Sequence, residues 1–445
     1  MSKLNLTYFN NKHFLALAGN GVISVLTVLQ MALIYHKLEK SEVGAWVFFM
    51  MVLGIGEAIR NGFLSTATIK FYAGTELERG NSVIGSVWYL ALIITGVMVM
   101  VDLAFVLSLS YITSNELVIT VKWFGLTFIS SLPFTLIFWV LMAEERYDKI
   151  LWLRMVNSGS MVLTILVFVI LKKMTLDALL WINFLTNMLT NIVGYIFRLT
   201  RFRTLFHRTK EGVAEIYHFG KFSLGTNLFS NLLRNVDIIV INFMIGPAAL
   251  AIYNIPQKLM EFVEIPLRSF VGTGMSGMAV AYNNDNKDRI KFILTKYSGM
   301  LCIAFIPMAI FAFFIADFAI YLIGDTKYLG TEAANLFRIF MIFSILYPID
   351  RFNGATLDVI HKPKINFYKV VVMLIASIIG DLVGVYLFKN LYGIALGALM
   401  TTLTGLVFGY FKLRKYIDYT IGDIITIGLS EMKLFIRNKL AFLRK

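Results

Sequence analysis

Residues 83–110 read VIGSVWYLALIITGVMVMVDLAFVLSLS, an apolar run whose only charged member is Asp102. Wound as an α-helix at ~1.5 Å per residue, such a run crosses the ~30 Å hydrocarbon layer of a bilayer with residues to spare. It does not alternate polar with apolar residues, so it is not a barrel strand. The rest of the chain is of the same kind. Of 445 residues, 58% are hydrophobic and 15% charged, and the mean hydropathy is +0.74. Soluble domains hold roughly 45–50% apolar residues, so a soluble globular enzyme, which needs a charged surface, is excluded. Comparable runs occupy 14–35, 43–64, 117–142, 150–171 and 176–199, and then 216–245, 249–271, 292–323, 333–360, 365–388 and 391–413. The fold class is therefore an all-α polytopic membrane protein with about 12 transmembrane helices. The first twenty residues lack the short apolar core and small-residue cleavage site of a secretory signal, so the first run is expected to stay as a span.

The charged residues punctuate these runs. Lys plus Arg number 41 against 27 Asp plus Glu, a net charge of +14. The excess lies between spans and not in a polar stripe, which argues against nucleic acid as a partner. Arg198, Arg201, Arg203, Arg208 and Lys210 fill the central connection. Lys287, Arg289 and Lys291 precede the ninth span, Lys362 and Lys364 the eleventh, and Lys412, Arg414 and Lys415 follow the last. Opposite connections, such as Gly246-Pro247-Ala248 and Lys389-Asn390, are short and poor in charge. Cytoplasmic loops concentrate Lys and Arg, which predicts both termini in the cytoplasm. The tail 421–445 interleaves Ile424, Leu434, Phe435, Leu440 and Phe442 with Lys433, Arg437, Lys439, Arg444 and Lys445. It reads as an amphipathic helix on the anionic inner leaflet.

An internal repeat organises the spans. A shift of 215 positions carries Asp102 onto Asp317, Pro133 onto Pro348, Arg154 onto Lys369, Leu176 onto Leu391 and Thr186 onto Thr401. A shift of 207 carries Glu57 onto Glu264. Six helices duplicated to twelve account for this, giving two pseudo-symmetric six-helix bundles, 1–210 and 211–420, and the tail 421–445. An even helix count makes the repeats parallel, related by an axis along the membrane normal.

Ionisable groups inside spans cost several kcal/mol at the bilayer centre and usually face a bundle interior or a wet cavity. The second span carries Glu57, Arg60 and Asn61; the eighth carries Gln257, Lys258, Glu261, Glu264 and Arg268. Spacings of three and four put the eighth-span charges on one face. Arg234 and Asp237 lie three apart in the seventh span among Asn227, Asn231 and Asn235. The bases Arg60, Arg234, Lys258 and Arg268 are candidates to hold an anionic substrate group, and the acids Glu57, Glu261, Glu264 and Asp237 to bind a coupling cation or proton. The competing reading is internal ion pairing, Lys258 with Glu261 and Arg60 with Glu57. Asp350-Arg351 follows Pro348, where a kink without chemistry is the preferred reading. Asp102 and Asp317 lie toward the outer ends of their spans, where interfacial solvation accounts for them. Gly272-Thr273-Gly274-Met275-Ser276-Gly277 ends a membrane helix and does not follow a strand, so it is no dinucleotide site. The pairs Gly380/Gly384, Gly393/Gly397 and Gly405/Gly409 are suited to close helix packing. Cys302 is the only cysteine and the five histidines are scattered, so no metal or cofactor is expected.

Several patterns resemble the polysaccharide-exporter branch of the multidrug/oligosaccharidyl-lipid/polysaccharide (MOP) superfamily, the O-antigen-flippase type. They are Lys40-Ser41-Glu42-Val43-Gly44-Ala45-Trp46, Pro247-Ala248-Ala249-Leu250-Ala251-Ile252-Tyr253, and Tyr321-Leu322-Ile323-Gly324-Asp325-Thr326-Lys327-Tyr328 leading into Ala333-Ala334-Asn335-Leu336-Phe337-Arg338. The resemblance covers nearly the whole chain. It implies a flippase, not an enzyme, in the bacterial cytoplasmic membrane, which moves an undecaprenyl-pyrophosphate-linked sugar repeat unit. A polysaccharide polymerase and chain-length machinery would then be partners, with a proton or Na+ as coupling cation. The alternatives are a drug exporter of the same superfamily, which should carry an acidic cavity, and a membrane polymerase or glycosyltransferase, which should carry a large external loop.

Overall fold

The computed structural model describes residues 12–443, and every long element among them is an α-helix. In chain order these are α1 (Lys12–Lys37), α2 (Lys40–Tyr72), α3 (Leu77–Leu107), α4 (Asn115–Ala143), α5 (Tyr147–Arg154), α6 (Ser160–Ile170), α7 (Leu176–Ile196) and α8 (Lys210–Met244). There follow α9 (Pro247–Asn283), α10 (Lys287–Gly324), α11 (Ala333–Ser344), α12 (Tyr347–Val359), α13 (Pro363–Phe388), α14 (Tyr392–Leu413) and α15 (Ile421–Leu443). A π-turn, Met155–Gly159, joins α5 and α6 into one span. Helices α11 and α12 are one span bent by 49°. The bend falls just ahead of Pro348, the second residue of α12, where the ring costs no helical hydrogen bond. With α1, α8 and α9 added by length, the described helices make the twelve segments that the hydropathy pattern predicts.

Contacts divide the chain into two compact units, Met1–Leu232 and Leu233–Lys445, with the division inside α8. The basic connection 198–212 packs wholly on the first unit, together with the first half of α8. The first unit's core gathers Leu64, Val87, Trp88, Leu136, Trp139 and Ile216 from four helices. Apolar side chains gain little by leaving lipid, so close fit and interhelical hydrogen bonds hold such a core. Trp139 donates its indole N–H to Asn61 Oδ1 at 2.8 Å, and Asp102 accepts the Gly125 backbone N–H at 3.1 Å.

In the second unit α13 and α14 cross at their glycines. A Cβ on Gly384 would stand 2.1 Å from the Gly393 carbonyl oxygen, so only glycine permits this approach. Asp317 is paired with Arg338 at 2.5 Å. The described part of the tail, α15, lies along α10, tied by Lys291 to Asp423 at 3.0 Å and Lys296 to Glu431 at 2.5 Å. Ile424 is buried there, while Ile425, Leu429, Phe435 and Ile436 stay exposed. Arg444 and Lys445 lie outside the described residues.

Candidate functional site

Three arrangements of intramembrane charge emerge, one in the first unit and two in the second. In the first, α2 turns Arg60 inward between α3 and α4, where its side chain is 0% exposed. Its guanidinium donates to Glu57, to Ser131 Oγ at 2.7 Å, and to Thr95 Oγ1 and the Phe128 carbonyl, both at 3.2 Å. It also stacks over the Phe128 ring, 4.3 Å from the centroid. Glu57 accepts a further bond from Ser131 at 2.5 Å. This group is closed on itself.

The second arrangement lines α9 and α12. Glu264 is bracketed by two guanidiniums. Arg268, one turn along α9, pairs with its Oε2, and Arg351 Nη2 lies 3.9 Å from its Oε1. Arg234 on α8 is near enough to act on the same carboxylate. Three cations thus surround one anion, and Arg268 and Arg351 remain 62% and 54% exposed. Two turns earlier on α9, Lys258 and Glu261 form a partly exposed pair at 2.7 Å. Sequence reading assigned Arg351 to a kink. Asp350 does turn inward, where buried Lys369 donates to its Oδ1 at 2.8 Å, but Arg351 turns the other way, toward Glu264.

The third arrangement is buried. Tyr253 on α9 donates its hydroxyl to Asp237 Oδ2 on α8. Beside Asp237 stand Asp381 and Ser377, one turn apart on α13. Asp381 is fully buried, and among the described residues neither of its carboxylate oxygens has a hydrogen-bond donor. It lies so close to α14 that a Cβ on Gly397 would come within 1.8 Å of its Oδ1. Two adjacent buried carboxylates repel unless a proton or small cation neutralises them. Sequence reading singled out Asp237 but passed over Asp381, whose signal was present: a lone acid in the middle of the apolar run 365–388. Among the described residues no group of three or more His, Cys, Asp or Glu is placed to hold a metal ion.

The profile of a family described as polysaccharide biosynthesis protein matches residues 37–333. The teichuronic acid biosynthesis protein TuaB of Bacillus subtilis (strain 168) is 26% identical over 157 residues, which are 35% of this chain and 32% of that protein. The chain thus spans about a third of the length of the curated relative it matches. Among solved structures, an inward-facing multidrug resistance MATE family transporter of the MOP superfamily superposes with a TM-score of 0.74 at 14% identity, covering 88% of this chain and 95% of that one. The lipid II flippase MurJ, in an inward closed conformation, gives 0.70 at 14% identity, covering 96% and 92%. A MOP superfamily transporter from Pyrococcus furiosus, described by the reverse polarity of its binding pocket, gives 0.59 at 15% identity, covering 97% and 95%. At these identities the likeness is one of fold, and the fold is that of the MOP superfamily.

Proposed function

Since this chain belongs to the polysaccharide biosynthesis protein family, we propose that it is a flippase carrying an undecaprenyl-pyrophosphate-linked oligosaccharide across the cytoplasmic membrane for surface polysaccharide assembly. The observation that carries this reading is the excess of guanidinium around Glu264. A pyrophosphate presents several acceptor oxygens, and Arg offers planar forks that match them. On its arrival Arg234, Arg268 and Arg351 exchange the single carboxylate for a better-charged ligand, with Lys258 as a mobile point charge along the same helix. A drug exporter for cations would call for the opposite polarity. Repeat units delivered outside would pass to a polymerase and its chain-length machinery.

Coupling rests on Asp237 and Asp381 in this reading. Glu57 is committed to Arg60 and Ser131, and Glu261 to Lys258, whereas Asp381 has no donor among the described residues. Uptake of a proton or Na+ between the two carboxylates would relieve their repulsion and change how tightly α8 and α13 pack. Arg60 then braces the first unit and does not touch substrate.

The test is leaflet transfer of a fluorescent undecaprenyl-pyrophosphate oligosaccharide in proteoliposomes, with and without a pH or Na+ gradient. Arg268→Ala and Arg351→Ala should each slow transfer about 10- to 100-fold, the worth of a hydrogen bond to a charged group. Asp381→Asn should remove the dependence on the gradient. Unimpaired transfer by the double Arg variant would refute the substrate site. Export of small cations without glycan transfer would establish the drug-exporter reading in its place.

A further inference from the structure

The connection between α7 and α8 is a fixed strap. Arg198 and Arg201 both take left-handed backbone, φ 54° and 46°, which turns the chain sharply out of α7 and along α3. Neutral groups then pin it. Trp88 Nε1 donates to the Thr200 carbonyl at 3.0 Å, and Ser82 and Thr209 hydroxyls meet at 2.9 Å. The Thr204 carbonyl lies against Gly85 so tightly that a Cβ there would stand 2.0 Å away. Arg201 is used up inside, donating to the Tyr72 hydroxyl at 2.5 Å and to Glu144. These contacts gather the ends of α2 and α4 and the strap at one end of the first unit.

What the strap leaves outward is of a different kind. Arg198, Arg203 and Lys210 are exposed, and their side chains make no ion pair or hydrogen bond among the described residues. Arg208 is exposed and held over the Tyr89 ring, 5.0 Å from the centroid. Between these cations project Phe206, 78% exposed, and Tyr195, 70% exposed, with Phe197 and Phe202 partly outward. Glu211 is the one acid on this outer stretch, since Glu215 is taken by Arg79. Unpaired cations alternating with exposed aromatics, on a backbone that cannot collapse around them, match the headgroup layer of a bilayer.

We infer that this strap is a preformed seat for anionic phospholipid headgroups, with Arg198, Arg203 and Lys210 holding the phosphates and Phe206 and Tyr195 wedged among the upper acyl carbons. It is independent of the transport site, which lies in the second unit. Rigidity sets it apart from an ordinary basic loop: the backbone that carries the cations is pinned at Thr200, Thr204 and Thr209 before any lipid arrives, so no backbone ordering opposes binding.

The experiment compares retention of phosphatidylglycerol and phosphatidylcholine by the purified full chain in mixed nanodiscs, read by native mass spectrometry. Arg198→Gln, Arg203→Gln and Lys210→Gln together should weaken phosphatidylglycerol retention about a hundredfold, from the roughly fivefold each surface cation contributes. These side chains support no packing, so an unchanged melting temperature is expected alongside. The control Lys412→Gln, Arg414→Gln and Lys415→Gln removes equal charge at the C-terminal end of α14 and should change retention far less. Equal losses in the two triple variants would overturn the seat in favour of diffuse attraction, and unchanged retention in the strap variant would overturn it outright.

Discussion

Replacing Arg60 by Ala separates a brace from a binding residue. Four donated hydrogen bonds would vanish, and the Glu57 carboxylate would keep only the Ser131 hydroxyl. Breaking one partner of a buried pair costs about 3–5 kcal/mol, because the remaining charge stays desolvated. For a unit of this size that corresponds to a fall in Tm on the order of 10 °C. Tryptophan fluorescence during heating in detergent reads it locally, since Trp139 is buried in the first unit's core and bonded to Asn61, the neighbour of Arg60. The double variant Glu57→Gln, Arg60→Met removes both charges and should recover most of the loss, as buried pairs replaced by neutral groups often do. An Arg60→Ala protein that melts like the parent yet no longer transfers substrate would refute the brace and return Arg60 to the substrate site.

Other expectations are as direct. Gly384→Ala must push its Cβ away from the Gly393 carbonyl, 2.1 Å distant against an ordinary ~3.4 Å, and overpacking of this sort costs about 1–3 kcal/mol; a Tm equal to the parent's would show that the crossing is looser than described. The Thr420 backbone N–H, with Lys291, holds the Asp423 carboxyl below the usual carboxylate range. Its contribution to docking α15 is therefore complete above the ordinary pKa near ~3.9 and lost as pH falls through the lowered value. Amide exchange in α15, corrected for intrinsic rates, should quicken as pH falls below about 4, and Asp423→Asn should reduce the change, leaving the part carried by Lys296 and Glu431. Gly85→Ala should lift the strap from α3 and open residues 198–209 to limited proteolysis; protection equal to the parent's would argue against the close contact.

The spans were legible because hydropathy reports how long a segment is and how deep it lies, and the twelve runs needed nothing more. Rotation about each helix axis was not. Arg60 and Arg268 both sit in the middle of polar stretches, yet one points into α4 and the other stays exposed beside Glu264. Only the packing of neighbours decides that difference, and no local period encodes it. Asp381 escaped notice because its flanking glycines carry the stronger sequence signal, although the glycine spacing and the acid belong together: Gly397 makes the room that Asp381 fills. The strap was equally hidden. Its anchor Trp88 is far in the chain from Thr200 and Thr204, and basic residues alone say which side of a membrane a connection favours, not whether it is fixed.

Among the described helices, α8 and α9 are not in the set that is apolar enough to cross a membrane unaided. They are also the helices that carry Arg234, Asp237, Lys258, Glu261, Glu264 and Arg268. Each such charge at mid-depth disfavours entry into lipid by about 2.5–3.5 kcal/mol during synthesis. Neither helix is therefore expected to leave the translocon readily alone. Joined by the tight turn at Ile245 and Gly246 and followed by the strongly apolar α10, they are expected to enter the bilayer as a hairpin together with it. The residues proposed to move the cargo would thereby also influence how the protein itself is built into the membrane.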